Sequence, residues 1–182
     1  MNHTGTPVLT TPRLILRPFR MEDAQDMFAN WASDPDVTRF LMWPTHSSVD
    51  VSRYVLNDWI PHYAEPDYYH WAITLDGHAI GSMAVVSHDD QIGKAHIGYA
   101  LSRSCWHKGY TSEALQAVMD YLFDVVGYNR IDSRHDPRNP HSGAVMRKCG
   151  MKYEATLRQS DWNNQGVCDA CWYALLASER NR

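Results

Sequence analysis

The chain has 182 residues, 44% of them apolar and 21% charged, with a net charge of −4. That length suits one domain with a real core, and the acidic balance argues against a nucleic-acid or membrane-surface binder. No apolar run approaches the roughly 18 residues of a membrane span, and Met1 to Pro7 lacks the apolar centre of a secretion signal, so the chain reads as cytoplasmic with four free thiols.

In chain order, Arg13 to Arg17 alternates as a first strand. Asp23 to Trp31 has helical spacing, and Asp34-Pro35 is expected to stop it. Leu41 to Ser48 reads as an aromatic loop. Val49 to His62 reads as a second helix with Val51, Tyr54, Val55 and Trp59 along its apolar side. Tyr69 to Leu75 and His78 to Val86 flank Asp76-Gly77, a strong hairpin signal. Gly93 to Leu101 is a fourth strand. Leu115, Val118, Met119, Leu122 and Val126 give a third helix one apolar face, ended by Gly127. A short strand, Arg130 to Asp136, precedes a short helix, Asn139 to Lys148, closed by Gly150. Met151 to Gln159 and Val167 to Leu176 are two last strands around Asn163-Asn164-Gln165-Gly166. Strand-helix-strand from Gly93 to Asp136 forces a parallel crossover, whereas the hairpins are antiparallel. The fold class is therefore α/β in the α+β sense, a mixed, mostly antiparallel sheet of seven strands with about four helices.

Between the fourth strand and the third helix lies Trp106-His107-Lys108-Gly109-Tyr110-Thr111-Ser112-Glu113-Ala114. A helix N-terminus offers free N–H groups and a partial positive charge, and one glycine lets a phosphate approach the backbone. Four or five charge-assisted hydrogen bonds at roughly 1.5–3 kcal/mol each hold a pyrophosphate without many basic residues. A phosphate-loop NTPase is excluded, because Gly109 is not followed by Lys and Ser or Thr, and no glycine precedes it by five.

This stretch, read with Asp136-Pro137-Arg138-Asn139-Pro140-His141-Ser142, Lys148-Cys149-Gly150-Met151 and Thr11-Pro12-Arg13-Leu14-Ile15-Leu16-Arg17-Pro18, resembles the GNAT acetyltransferases, and within them the ribosomal-protein N-terminal (Rim-type) branch. The resemblance covers a single domain over 8–178, leaving 1–7 and 179–182 as tails. It implies a sheet splayed between its fourth and fifth strands, acetyl-CoA as co-substrate, and an amine acceptor, either a peptide N-terminus or a small amine. A CoA-binding module without catalysis is the reading from another class. A monomer and a homodimer both fit.

The resemblance also assigns residues. Tyr99, Ala100 and Leu101 would pair with the pantetheine arm through their backbone. His107, Lys108, Gly109, Tyr110, Thr111 and Ser112 would hold the pyrophosphate, with Arg103 and Lys108 adding charge. His107 stands where the branch often has Gly. Asn139 would bond the cofactor arm or cap its helix, and Ser142 would steady the leaving thiolate. Many relatives place a tyrosine acid seven residues after that Asn, but here the residue is Met146, which cannot donate a proton. Asp161 stands at the position of the branch's base, usually Glu, with His96 and His135 behind it as strand residues. Trp43 would wall the acceptor pocket; by their helical positions alone, apart from the resemblance, Trp31, Tyr54 and Trp59 are expected to pack in the core, and Glu113 suits a helix N-terminus without catalysis. An α-amine of pKa about 7.7–8.0 is partly neutral near pH 7.5, whereas a lysine-type amine is about 0.1% neutral, so a modest base favours α-amines. Cys168 and Cys171 lie three apart on a strand and face opposite sides, so they are expected to be unlinked. The 10 His show no ligand spacing, and no metal is expected.

Overall fold

Eight strands form one sheet, in the order β1-β2-β3-β4-β5-β6-β8-β7, in a computed structural model that describes residues 1–180. They are β1 (Leu9–Thr10), β2 (Ile15–Arg17), β3 (His70–Leu75), β4 (His78–Asp89), β5 (Lys94–Leu101), β6 (Arg130–His135), β7 (Lys152–Asn163) and β8 (Gly166–Leu176). Only β5 and β6 are parallel neighbours. The strand missed in the sequence is β1, whose two residues are too short to show alternation. The expected splay between the fourth and fifth strands therefore falls between β5 and β6.

Five α-helices cover the two faces: α1 (Ala24–Met27), α2 (Pro35–Thr38), α3 (Val49–Trp59), α4 (Tyr110–Tyr121) and α5 (Pro140–Lys148). Asp34-Pro35 opens α2 rather than simply ending α1. The Asp34 carboxylate accepts the Asp36 N–H at 2.9 Å, and Pro35 occupies the first turn, where it has no N–H to leave unpaired. Before α1, the buried Asp23 is held by both Arg17 Nη atoms at 2.7 Å and by the Arg20 N–H at 2.8 Å. The α3 face is turned from the expected one. Ser52 and Leu56 point inward, and Tyr54, expected in the core, is 77% exposed.

Leu115, Val118, Met119 and Leu122 are fully buried between α4 and the sheet. Each removes enough apolar area from water to contribute about 1.5–3 kcal/mol. A second core under α1 and α3 holds Phe19, Met27, Trp31 and Leu56. The segment 1–7, expected to be a tail, crosses the body. Gly5 N–H donates to Pro66 O at 2.7 Å, and Trp71 Nε1 donates to Pro7 O at 2.8 Å. At the other end Arg180 pairs with Asp120 at 2.6 Å and Asp124 at 2.5 Å. The last two residues of the expected tail lie outside the described residues. No helix among the described residues is long and apolar enough to cross a membrane.

Candidate active site

The parallel ladder between β5 and β6 ends at His96↔Asp132. One more link, Ser133 Oγ donating to Ile97 O at 2.7 Å, closes the seam. Beyond it the strands part, and the β5 backbone from Gly98 to Leu101 has no β6 partner. An open groove of about 690 Å3 runs from this gap to the start of α4. Tyr99, Ala100, Leu101, His107, Gly109, Tyr110, Thr111, Ser112, Asn139 and Ser142 all line it. Of the residues expected around the cofactor, Lys108 does not. Its carbonyl accepts from Arg13 Nη1 at 2.9 Å instead.

The loop before α4 takes a left-handed backbone at His107 (φ 60°) and Gly109 (φ 80°). Gly109 is the N-cap of α4, and Trp106 ties the loop to β5 by donating its indole N–H to Leu101 O at 2.9 Å. A Cβ on Gly109 would lie 3.4 Å from Arg13 Nη2 and 3.5 Å from Lys148 Nζ. These two cations, from the β1–β2 turn and the end of α5, flank the loop. Sequence reading missed both and named Arg103, which is bound to Asp34 and Asp36 at 2.9 Å each. Glu113 fixes the arrangement. It accepts from Thr11 Oγ1 at 2.6 Å, Arg13 N–H at 2.9 Å and Arg13 Nε at 2.7 Å, and so joins the β1–β2 turn to α4.

Across the gap, the Tyr99 hydroxyl donates to Ser142 O at 3.0 Å and lies 3.0 Å from Ser142 Oγ. Burial raises the Tyr99 pKa above its ordinary value, so the phenol stays protonated at neutral pH. Asn139 precedes α5 without a side-chain capping bond, which leaves its amide for the groove it lines. Met146 is fully buried in the main core, far from any proton-transfer role. His135 gives its Nδ1 proton to Asp136 O at 2.8 Å, so Nε2 carries the lone pair, and that atom is buried without a partner among the described residues. It faces α5, where a methyl group on Gly143 would collide with it. Gly143→Ala is therefore expected to destabilise by about 1–3 kcal/mol. Thermal melts should show a loss of several degrees, recovered in the Gly143→Ala/His135→Ala double variant.

On the other face of β6, the chain Asp132–His96–Arg134–Asp161 is continuous. His96 Nδ1 donates to Asp132 Oδ1 at 2.6 Å, Arg134 Nη1 donates to His96 Nε2 at 2.9 Å, and Arg134 Nε meets Asp161 Oδ2 at 2.5 Å. Both His96 nitrogens are occupied, so it is not a free base. Asp161 reaches this place through a bulge in β7 between Leu157 and Asp161, with Gln159 at φ 48°. Partial burial alone would raise the Asp161 pKa, but the Arg134 guanidinium and the Trp162 N–H outweigh it and hold the carboxyl below its ordinary value. Asp161 does not line the groove, and neither does Trp43, which packs on the second core; Phe40 and Arg138 stand at the groove instead. All four cysteines are free, Cys168 buried and Cys171 half-buried.

The sequence matches the family described as acetyltransferase (GNAT) domain over residues 13–152. An uncharacterized N-acetyltransferase of Bacillus licheniformis is 30% identical over 174 residues, 94% of this chain and 97% of that protein. The solved RimL ribosomal L7/L12 α-N-protein acetyltransferase in complex with coenzyme A has a TM-score of 0.84 at 20% identity, covering 93% of this chain and 98% of that one. The microcin C7 self-immunity acetyltransferase, solved with acetyl-CoA and AMP, has a TM-score of 0.82 at 17% identity, covering 91% and 93%. At such identities the structural likeness shows the fold.

Proposed function

The chain belongs to the acetyltransferase (GNAT) domain family and is an N-acetyltransferase that uses acetyl-CoA, and from that premise we propose that its acceptor is a protein N-terminal α-amine, as in the Rim-type branch. The observation that carries this reading is the Arg134–Asp161 pair. A carboxylate held below its ordinary pKa is a weak proton acceptor. A lysine-type amine near pKa 10.4 needs about 3.5 kcal/mol more than an α-amine to reach its neutral form, and this site has no strong base to offset it.

In the proposed reaction Tyr99–Leu101 and Asn139 would hold the pantetheine arm of acetyl-CoA, and the loop His107–Ser112, with Arg13 and Lys148 beside it, would hold the pyrophosphate. The neutral amine attacks the thioester carbonyl. The C–N bond forms, the C–S bond breaks, and the amine's surplus proton passes to water, because Asp161 stands outside the groove and is paired with Arg134. Ser142 Oγ donates its proton to the departing thiolate as the Tyr99 hydroxyl turns its single proton from Ser142 O to Ser142 Oγ, 3.0 Å away.

The pH dependence follows from the sign of the Asp161 shift. A lowered pKa keeps the carboxylate ionised throughout the neutral range, so it adds no limb there. The rise of kcat/KM with pH is then the acceptor's own and levels near pH 7.7–8.0, the ordinary α-amine range. Asp161→Asn is expected to leave kcat, that limb and the acetyl-CoA affinity within a few fold, because the carboxylate is paired with Arg134 outside the groove; a loss of tenfold or more would make Asp161 the base. CoA release is measured with short peptides of varied free N-termini beside polyamines, amino sugars and aminoglycosides. Release with peptides supports the reading; release only with small amines overturns it and assigns a small-molecule acceptor.

A further inference from the structure

At the end of β5 remote from the groove, three side chains from distant parts of the sequence converge. His3 belongs to the N-terminal segment, His88 to β4, and Asp90 to the turn that follows it. His3 Nε2 lies 2.8 Å from Asp90 Oδ2, and His88 Nδ1 lies 3.1 Å from Asp90 Oδ1. One donor atom from each residue falls within 4.8 Å of the others. We propose that these residues bind a divalent transition-metal ion, Zn(II) by preference, through His3 Nε2, His88 Nδ1 and the Asp90 carboxylate, with water as the fourth ligand.

Three features distinguish this cluster from an ordinary surface ion pair. The first is spacing. Zinc bonds of about 2.0–2.2 Å in tetrahedral array set their donors about 3.4 Å apart, so the His3–Asp90 and His88–Asp90 contacts at 2.8 and 3.1 Å need to open by roughly half an ångström or less. The second is the support behind each ligand. His3 Nδ1 is hydrogen bonded to the buried Tyr69 hydroxyl at 2.8 Å, and Asp67 Oδ2 stands 3.7 Å from His88 Nε2. Zinc-ligating histidines have their far nitrogen hydrogen bonded as His3 has, which fixes the tautomer and the ring orientation, and a carboxylate stands near the far nitrogen of His88. The third is Tyr128. Its side chain is buried, and its hydroxyl has no hydrogen-bond partner among the described residues. Its ring lies 6.2 Å from that of His3 and 6.4 Å from that of His88. A buried hydroxyl left unpaired costs free energy, and a metal-bound water beside the two histidines would supply its partner. Imidazole and carboxylate ligands together suit zinc. No local pattern marks the site, because the ligands are 85 and 2 residues apart along the chain, a spacing that matches no metal motif.

Such an ion would pin the N-terminal segment to the β4–β5 turn. The test uses the full chain stripped with a chelator and titrated with Zn(II) against a chromophoric competitor. One saturable equivalent is expected, weakened at least tenfold in Asp90→Asn and in His88→Gln. Zn(II) should raise the melting temperature of the wild type and not of the variants. Acetyl transfer by the stripped wild type and by Asp90→Asn should be unchanged, which shows that both fold. Absence of a saturable site in the wild type overturns the proposal. Full-strength binding in both variants overturns it too and moves the metal to cysteine, which an intense thiolate band with Co(II) would reveal.

Discussion

Gly109→Glu abolishes saturable acetyl-CoA binding and leaves the fold standing. The backbone there is left-handed, φ 80°, and a non-glycine residue in that conformation costs roughly 1–2 kcal/mol, too little to unfold a domain of this size. The new carboxylate would start from a Cβ 3.4 Å from Arg13 Nη2 and 3.5 Å from Lys148 Nζ. It would take those cations, and the free N–H groups of the first α4 turn, for itself. An incoming pyrophosphate would then lose several charge-assisted bonds at about 1.5–3 kcal/mol each and meet a like charge besides. Because each 1.4 kcal/mol is tenfold in affinity, the loss exceeds about 10²-fold. Gly109→Ala carries the same backbone strain without the charge and should weaken binding by about tenfold or less. Calorimetric titration of both variants separates the two causes. Unchanged affinity in Gly109→Glu would remove the loop as the anion site.

What the sequence disclosed and what it withheld divide along physical lines. Asp76-Gly77, the apolar stripe of α4 and the loop at Gly109 are local signals: turn chemistry, a 3.6-residue period, and a glycine at a helix start. Each was readable because neighbouring residues cause it. The two cations at Gly109 were not, since Arg13 comes from nearly 100 residues earlier and Lys148 from the far end of α5, and nothing local marks either as a partner. The same holds for Tyr99. Its backbone role was inferred from motif position, while its hydroxyl's reach to Ser142, 43 residues on, depends on how β5 and α5 pack. Asp161 was named by position, but its pairing with Arg134, which makes it a weak base, depends on a β7 bulge that no alternation pattern announces. Tyr54 was misplaced because Val, Trp and Tyr at helical spacing fit two overlapping faces of α3, and packing against Leu56 and Ser52 chose between them.

The Tyr99–Ser142 pair carries the second large effect. A phenol whose pKa is pushed above its ordinary value of about 10 does not surrender its proton to a thiolate of ordinary pKa about 8.5. In the proposed reaction its contribution is a hydrogen bond aimed, through Ser142, at charge that would develop on sulfur as the C–S bond breaks. Ser142→Ala removes the donor that meets that charge, and kcat should fall roughly 10²-fold, the size expected for one such donor. Tyr99→Phe leaves Ser142 in place but frees its rotamer, so a smaller loss of roughly tenfold is expected. Tyr99 is thus a positioning residue, and the double variant distinguishes this from a structural role. If Tyr99 acts through Ser142, Tyr99→Phe/Ser142→Ala is no slower than Ser142→Ala alone, because the second change removes an interaction already lost. KM for acetyl-CoA should stay within a few fold in all three, since the donor matters in the transition state rather than in binding. Losses that multiply in the double variant, or a raised KM with unchanged kcat, would separate the two hydroxyls and return Tyr99 to the role of a strand residue that shapes the groove.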